Sequence, residues 1–237
     1  MKNNLKLMCV VLTLTYALTA CKASISTGSN AAAPSNTTAA ANAKPAANTA
    51  AAPKVEKPKA DKLANEKKPE GKSTAAKKDV KIPDNWIYIY NEQKGYGFYV
   101  PEGSTGGGEV VDGADVFVCT TPEPSDVAVF VFAFKDASLS KEDLLDHAEK
   151  ILSEMGQTVQ AGKLTGESDD YSVAEATLTD KADGSKSKAK VLVGTDVSDN
   201  YVMIVGTDEA KYAANEKIID EIWGSFEMWS GGASGNN

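Results

Sequence analysis

Eight consecutive residues near the middle of the chain, Val127 to Phe134, are apolar at every position. A strand without a polar face must be covered on both sides, which is the situation of a strand in the middle of a sheet. The run therefore predicts a folded domain built around a sheet, with other elements packed above and below its central strand.

The apolar pattern becomes helical directly after this run. Six apolar residues between Leu144 and Met155 follow one another at spacings of 1, 3, 3, 1 and 3, which places them on one stripe of a helix. Ser140 and Asp143 form a capping arrangement before the helix, and Gly156 is a natural stop after it. The spacing therefore predicts an amphipathic helix with one buried side.

Further strands are predicted on both sides of this helix. Before it, Trp86–Tyr90 and Tyr96–Val100 form a predicted hairpin, and Val116–Thr120 is a short strand. After it comes an antiparallel meander with one face toward solvent, made of residues 157–165, 171–179, 186–194 and 201–206. A closing helix, Asp208–Trp223, has an apolar side formed by Ala214, Ile218, Ile219, Ile222 and Trp223. The pattern predicts an α+β fold: an antiparallel β-sheet of about six to seven strands packed with two main helices.

Two segments carry a resemblance to a known family. Residues 95–103, Gly-Tyr-Gly-Phe-Tyr-Val-Pro-Glu-Gly, are similar to the early strand and Pro-x-Gly motif of the PsbP/Mog-like fold. Residues 218–226, Ile-Ile-Asp-Glu-Ile-Trp-Gly-Ser-Phe, are similar to its closing helix. The domain resembles this family, which includes bacterial lipoproteins of the DcrB kind. The resemblance implies a PsbP/Mog-like sandwich with a binding or accessory role, and it supplies no catalytic motif.

The N-terminus has the pattern of an export signal. Two lysines precede a short apolar segment, Leu7–Leu18, and small residues follow it. Leu18-Thr19-Ala20-Cys21 resembles the lipobox of bacterial lipoproteins, in which the cysteine receives the lipid and becomes the new N-terminus. The sequence therefore predicts a lipoprotein signal peptide at residues 1–20 and lipidation, palmitate included, at Cys21. We expect a lipid-anchored protein of the cell envelope on a membrane facing the periplasm or the exterior, the outer membrane in a Gram-negative cell.

Composition divides the remaining chain into three parts. Residues 21–80 are rich in Ala, Pro and Lys with almost no large apolar side chains, and they predict a disordered tether. Residues 81–229 are predicted to form a single α+β domain, and the Gly/Ser/Asn-rich tail, residues 230–237, is expected to be disordered. The tether is either a stalk that lifts the domain off the membrane or through cell-wall polymer, or a plain spacer.

Charge is separated between the tether and the domain. From residue 81 onward the chain has 12 lysines and 28 acidic residues, a net charge of −16, whereas residues 22–80 carry a net charge of +6. An acidic domain repels nucleic acid, so nucleic-acid binding is not expected.

The rarity of some residue types restricts the possible chemistry. The chain has no arginine, and its single histidine is His147. This composition excludes sites built on an arginine clamp, on a pair of zinc-binding histidines or on a histidine relay. His147 lies at the polar margin of its helix and is expected on the surface. Cys119 is the free thiol of the mature chain and, without basic neighbours, is expected to be buried and unreactive. We predict no catalytic residue, no cofactor and no metal site.

Three motifs have an ordinary structural interpretation. Gly103–Gly108 is glycine-rich but lacks the Lys-Ser/Thr pair and the helix of a phosphate-binding loop, so it predicts a flexible strand connection. Asp180–Gly184 and Asp196–Asn200 are similar to calcium loops, but neither has the alternating acids and the distal glutamate of an EF-hand. Both are therefore expected to be hairpin turns.

Two functions of different classes remain open. The first is a lipid-anchored envelope protein with a non-catalytic binding or accessory domain. Its partners would be the membrane, through the lipid on Cys21, and an envelope protein or cell-wall component. Its contact surface would be the solvent face of the meander or the aromatic hairpin with Tyr88, Tyr90 and Tyr99. The alternative is a weak divalent-cation (calcium) binder or sensor that uses the acidic surface. An enzyme is not expected.

Overall fold

The computed structural model describes residues 61–135, 138–168, 170–195 and 200–229. The predicted signal peptide, Cys21, the tether up to residue 60 and the tail from residue 230 lie outside the described residues. Within the described ranges, no helix has the length and apolar character needed to cross a membrane.

The described residues form thirteen β-strands and two α-helices. Before the first helix the strands are β1 (Asp61–Lys62), β2 (Ser73–Ala75), β3 (Trp86–Asn91), β4 (Tyr96–Pro101), β5 (Thr105–Val111), β6 (Ala114–Thr120) and β7 (Ala128–Phe134). Helix α1 (Lys141–Glu154) is followed by β8 (Gln157–Ala161), β9 (Thr165–Gly166), β10 (Tyr171–Asp180), β11 (Lys186–Thr195) and β12 (Asn200–Asp208). A 3-10 turn (Glu209–Lys211), helix α2 (Tyr212–Gly224) and strand β13 (Glu227–Trp229) follow.

The strands pair antiparallel in two sheets. The large sheet has nine strands in the order β1-β5-β6-β7-β12-β11-β10-β8, with β9 paired beside β10, and the small sheet has four in the order β2-β13-β4-β3. The predicted α+β class, with antiparallel strands and two main helices, is confirmed. The strand number is larger than the six to seven predicted. Most of the difference comes from five strands, because β1, β2, β9 and β13 are too short to show an alternating pattern and β5 is glycine-rich.

Strand β7 lies in the middle of the large sheet, between β6 and β12, and all seven of its residues are buried. Val129 and Val131 face a hydrophobic core that the large sheet shares with the small sheet and α2. Phe130 and Phe132 face a second core, closed by α1. The prediction of a central strand covered on both sides is therefore confirmed.

Helix α1 begins with the predicted capping box. The Ser140 hydroxyl accepts a hydrogen bond from the Asp143 backbone N–H at 3.1 Å, and the Asp143 carboxylate accepts one from the Ser140 backbone N–H at 3.2 Å. The apolar stripe of the helix is buried against the large sheet. Both the cap and the stripe agree with the prediction, because each depends only on neighbouring residues of the sequence.

Helix α2 differs from its prediction on one turn. Ile219, Ile222 and Trp223 are buried, as expected, but Ala214 is exposed and Asn215 takes the buried position. The Asn215 side-chain amide donates to the Ser125 carbonyl oxygen at 2.8 Å, so a hydrogen bond rather than an apolar contact secures this turn.

The predicted solvent face of the meander is present on its outer strands and absent from its inner ones. On β8 and β10, exposed or half-buried residues alternate with buried ones along most of each strand, as predicted. Strand β12 is buried at every position before Asp208, and Val191, Leu192 and Val193 of β11 are all buried. Helix α1 packs on one face of these strands, while α2 packs on the other. A wet face of the meander is therefore not available as a contact surface at these positions.

The glycine-rich segment is a strand rather than the predicted flexible connection. Gly106, Gly107 and Gly108 belong to β5, which pairs with β6 along its whole length. A Cβ atom at Gly106 would lie 2.4 Å from the Val118 carbonyl oxygen, so the close approach of the two strands requires glycine there.

Residues 61–80 belong to the folded domain and not to a disordered tether. Strand β1 pairs with β5 at the edge of the large sheet, and β2 pairs with β13 at the edge of the small sheet. Ala76 is buried, and Leu63 packs against the core. The predicted boundary at residue 80 is wrong because these residues attach mainly through backbone hydrogen bonds and lysine side chains, which a search for apolar residues does not detect.

Candidate binding surface on the small sheet

Aromatic side chains collect on the outer side of the small sheet. Alternation along β3 directs Ile87 and Ile89 into the core, so Tyr88 and Tyr90 point outward. Tyr99 is paired opposite Tyr88 on β4, and β13 adds Trp229 to the same side. We call this surface, made of Tyr88, Tyr90, Tyr99 and Trp229, the aromatic face.

The rings of the aromatic face hold one another in place. The ring centroids of Tyr88 and Tyr99 are 4.8 Å apart, and those of Tyr90 and Trp229 are 6.4 Å apart with the rings edge to face. The indole N–H of Trp229 donates to the Tyr88 hydroxyl at 3.0 Å. The tyrosine hydroxyl lies above Gly97, where a Cβ atom would be only 2.1 Å from it. The face is therefore a fixed surface on a sheet rather than a set of mobile side chains.

A polar segment, residues 63–72, crosses this face; we call it the strap. The Glu66 backbone N–H donates to the Tyr88 carbonyl oxygen at 2.9 Å, and the Asn65 side-chain oxygen accepts from the Tyr88 N–H at 2.8 Å. Glu66 also accepts from the Tyr90 N–H at 3.1 Å. These bonds satisfy the free edge of β3, an edge that would otherwise be open to another strand.

Lys68 is the strap residue that contacts the rings. Its ammonium nitrogen lies 2.5 Å from Oε1 of Glu227 and 5.8 and 5.7 Å from the ring centroids of Tyr88 and Trp229. These are the distances of an ion pair combined with cation–π contacts. The strap and its lysine therefore fit the chemistry of the surface that they cover.

The strap explains why one of the three tyrosines predicted to be exposed is not. Tyr88 is 2% exposed, whereas Tyr90 and Tyr99 are partly exposed. Burial raises the pKa of the Tyr88 hydroxyl well above its usual value, because the charged form would lose its hydration there. Alternation in the sequence placed Tyr88 and Tyr90 on one face correctly, but it contained no signal for the segment that covers Tyr88.

The other two residues singled out in the sequence, His147 and Cys119, lie on elements that do not form the aromatic face. His147 is exposed on α1, with its ring 6.0 Å from that of Phe134. Cys119 is 1% exposed on β6, and burial raises the pKa of its thiol to about 12, so it has little thiolate character at neutral pH. The predictions of a surface histidine and a buried cysteine are confirmed.

The first predicted acidic turn is a hairpin turn, as expected. Asp180 accepts from the Ala182 backbone N–H at 2.7 Å and from the Gln157 side-chain amide at 3.3 Å, and Gly184 has a φ of 72°. Residues 196–199 of the second lie outside the described residues. In the part of the chain that the structure describes, no group of three or more His, Cys, Asp or Glu residues could hold a metal ion.

A second surface feature is a wide groove beside α2. It has a volume of about 590 Å³ and lies between residues 77–80 and the helix, with both lysines and acidic residues on each wall. The ammonium of Lys77 lies 4.5 Å from the ring centroid of Trp223. A lysine therefore lies over a tryptophan on each side of β2, Lys68 over Trp229 before it and Lys77 over Trp223 after it. The groove has fewer aromatic rings than the aromatic face.

Comparisons with known proteins give structural neighbours only. No family model and no curated protein matches the chain. The solution structure of cyanobacterial PsbP (CyanoP) from Synechocystis sp. PCC 6803 is similar with 17% identity and a TM-score of 0.49, over 64% of this chain and 96% of that one. A crystal structure from Bacteroides thetaiotaomicron VPI-5482 is similar with 13% identity and a TM-score of 0.39, over 62% of this chain and 49% of that one. Likenesses at this level assign no activity or partner to the chain.

Proposed function

We propose that the chain is a lipid-anchored protein of the cell envelope whose α+β domain binds another envelope component through the aromatic face, without catalysis. The observation that supports this proposal is the pair of partly exposed tyrosines, Tyr90 and Tyr99, beside Tyr88 and Trp229 on one rigid sheet. Tyrosine and tryptophan are enriched at protein interfaces because they supply a large contact area with few rotatable bonds.

Anchoring is the second part of the proposal, and it depends on the sequence Leu18-Thr19-Ala20-Cys21. Lipid on Cys21 would place the domain next to a membrane, where its partner is either an envelope protein or a cell-wall component. The divalent-cation alternative is not carried further, since no observation on the described residues favours it.

A capture experiment tests the proposed contact surface. The full chain, tagged at its C-terminus, is used to retain components of a detergent-solubilised envelope extract, and it is compared with the double variant Tyr90→Ala/Tyr99→Ala. Removing two partly exposed rings from the centre of an interface is expected to cost about 2 kcal/mol or more, at least tenfold in retention. His147→Ala is the control, because His147 is an exposed ring that lies on α1 and not on the aromatic face.

The result is interpretable only if the variants fold, so urea unfolding is measured for all three proteins. Components retained by the original chain and by His147→Ala, but lost with the double variant, support the proposal. Equal retention by all three folded proteins contradicts it. A turnover activity that disappears in folded His147→Ala would contradict the non-catalytic part.

A further inference from the structure

We propose that the aromatic face binds the ammonium group of a lysine side chain on a partner polypeptide, in the place that Lys68 of the strap occupies in this structure. This inference rests on the proposed binding function of the same face and adds the chemical class of the ligand. Lys68 is then an intramolecular occupant, which competes with the partner for the site.

The geometry around the Lys68 ammonium is that of a cation site. Two aromatic rings, Tyr88 and Trp229, lie within 6 Å of the nitrogen, and the Glu227 carboxylate is 2.5 Å away. The two rings are also joined to each other, by the hydrogen bond from the Trp229 indole N–H to the Tyr88 hydroxyl. Aromatic faces combined with a carboxylate recognise ammonium groups because the negative ring face and the acid both attract a positive charge.

Glu227 shows that this site has unused binding capacity. The residue is 9% exposed, and its second carboxylate oxygen, Oε2, is buried with no hydrogen-bond partner. A buried carboxylate oxygen without a donor is unfavourable, and an ammonium group carries three donors. A lysine brought in by a partner could therefore occupy both oxygens, whereas the structure shows Lys68 bonded to Oε1 only.

The part of the strap that carries Lys68 is attached weakly. Glu66 is bonded to β3, and Ser73 is paired with Trp229 in β2. Between them, residues 67–72 make no backbone hydrogen bond to either sheet in the described structure. This stretch can move away from the rings while both of its ends stay in place, so the site can open without unfolding the domain.

The charge of the domain favours the same ligand. The chain from residue 61 onward has 18 lysines and 32 acidic residues, a net charge of −14, which attracts basic polypeptides and repels acidic ones. Lys77 over Trp223 repeats the pairing of a lysine with an indole ring on the same acidic domain.

Calorimetric titration of the full chain in a non-ionic detergent tests the inference. The probe is an N-acetylated, C-amidated tetralysine peptide, and the variant is Lys68→Gln, which removes the competing ammonium. An intramolecular competitor acts at an effective concentration in the millimolar range, so its removal is expected to tighten peptide binding about tenfold or more. The NMR signal of the Trp229 indole N–H, assigned with Trp229→Phe, is expected to shift on binding.

Lys67→Gln is the matched control. It removes the same charge from the adjacent residue, but the Lys67 side chain is 86% exposed and pairs with Glu70 instead of Glu227. We expect Lys67→Gln to bind the peptide as the original chain does. Glu227→Gln, added to Lys68→Gln, is expected to remove the gain. If that double variant fails to fold, the peptide affinities of Lys68→Gln and Lys67→Gln still test the inference, because they differ only if Lys68 competes for the site.

Three results would overturn the inference: equal affinities for Lys67→Gln and Lys68→Gln, equal binding of a tetra(acetyl-lysine) peptide, or binding of n-butylammonium as tight as that of tetralysine. The last would identify a site for small amines. The capture experiment separates failure of this inference from failure of the proposed function. If retention depends on Tyr90 and Tyr99 but Lys68→Gln binds tetralysine no more tightly than the original chain, the proposed function stands and only the lysine site is refuted.

Discussion

Gly97 lies opposite Tyr90 in the hairpin, and the hydroxyl of Tyr88 occupies the space where another residue would carry its side chain. Gly97→Ala would put a Cβ atom 2.1 Å from that hydroxyl and 3.0 Å from the Ile89 carbonyl oxygen. Tyr88 would have to move and lose its bond from Trp229. We expect a loss of about 1–3 kcal/mol in the free energy of unfolding, measured in urea.

Gly107→Ala is the control for this substitution. Gly107 also lies in a strand, but a Cβ atom there would have nothing within 4 Å. Because alanine restricts the unfolded chain more than glycine, we expect no loss of stability from this variant, and a gain of up to about 1 kcal/mol. A Gly97→Ala protein as stable as Gly107→Ala would show that Tyr88 is not fixed by this contact.

Single residues also mark the limit of prediction from sequence. The outward direction of Tyr88 and Tyr90 followed from alternation along one strand. The role of Glu227 did not, because its partner Lys68 is far away in the chain and both lie in segments without a periodic pattern. Their meeting depends on how the strap crosses the small sheet, which no local signal describes.

At the scale of elements, the strap and the strands on either side of it join the two sheets. The chain pairs with the edge of the large sheet through β1 and then with the edge of the small sheet through β2. We expect a chain starting at residue 61 to melt as the full soluble chain does. A chain starting at residue 81 should lose about 2 kcal/mol or more, a fall of roughly 4–8 °C in Tm.

The physical reason is the number of groups that this truncation leaves without partners. The free edge of β3, the second edge of β13 and the covered side of Tyr88 would all be exposed to water. Thermal melting of the two truncated chains, followed by circular dichroism, measures the effect. Identical melting temperatures would show that residues 61–80 add nothing to the stability of the domain.

Elements with strong periodicity were predicted well, and elements without it were missed. The apolar run of β7 lies within one strand, and the cap and apolar stripe of α1 lie within a few helical turns. Strand β5 was missed because its glycines indicate a loop, although close packing against β6 is what requires Gly106. The covering of β12 and of the second half of β11 was missed because the layer that packs there is assembled from distant parts of the chain.

At the scale of the whole molecule, the proposal requires that the chain be held to a membrane by Cys21. We predict that Cys21→Ser moves the protein from the membrane pellet to the soluble fraction on cell fractionation. Two or three acyl chains hold a protein stably, and within the described residues no helix could replace them by crossing the membrane. Cys9→Ser is the control, since Cys9 lies in the apolar part of the signal and should not affect anchoring. Retention of Cys21→Ser in the pellet would refute the anchor.

The new domain boundary also changes the expected distance between membrane and domain. With the domain beginning at Asp61, 39 residues (22–60) separate it from the proposed anchor at Cys21, instead of the 59 residues (22–80) of the predicted tether. The domain is therefore expected to stay closer to the membrane than composition alone suggests.

The order in which the N-terminal residues attach has a mechanical consequence. A pulling force transmitted through residue 60 would first load the two paired residues of β1, and then the bonds of Leu63 and Glu66. Lys68 would be drawn off the rings next, while β2 still held the chain to the small sheet. A force between the membrane and a bound domain would thus uncover the aromatic face before any core strand is disturbed. Because Lys68 would then no longer compete for the site, the force would increase the affinity for a partner's lysine.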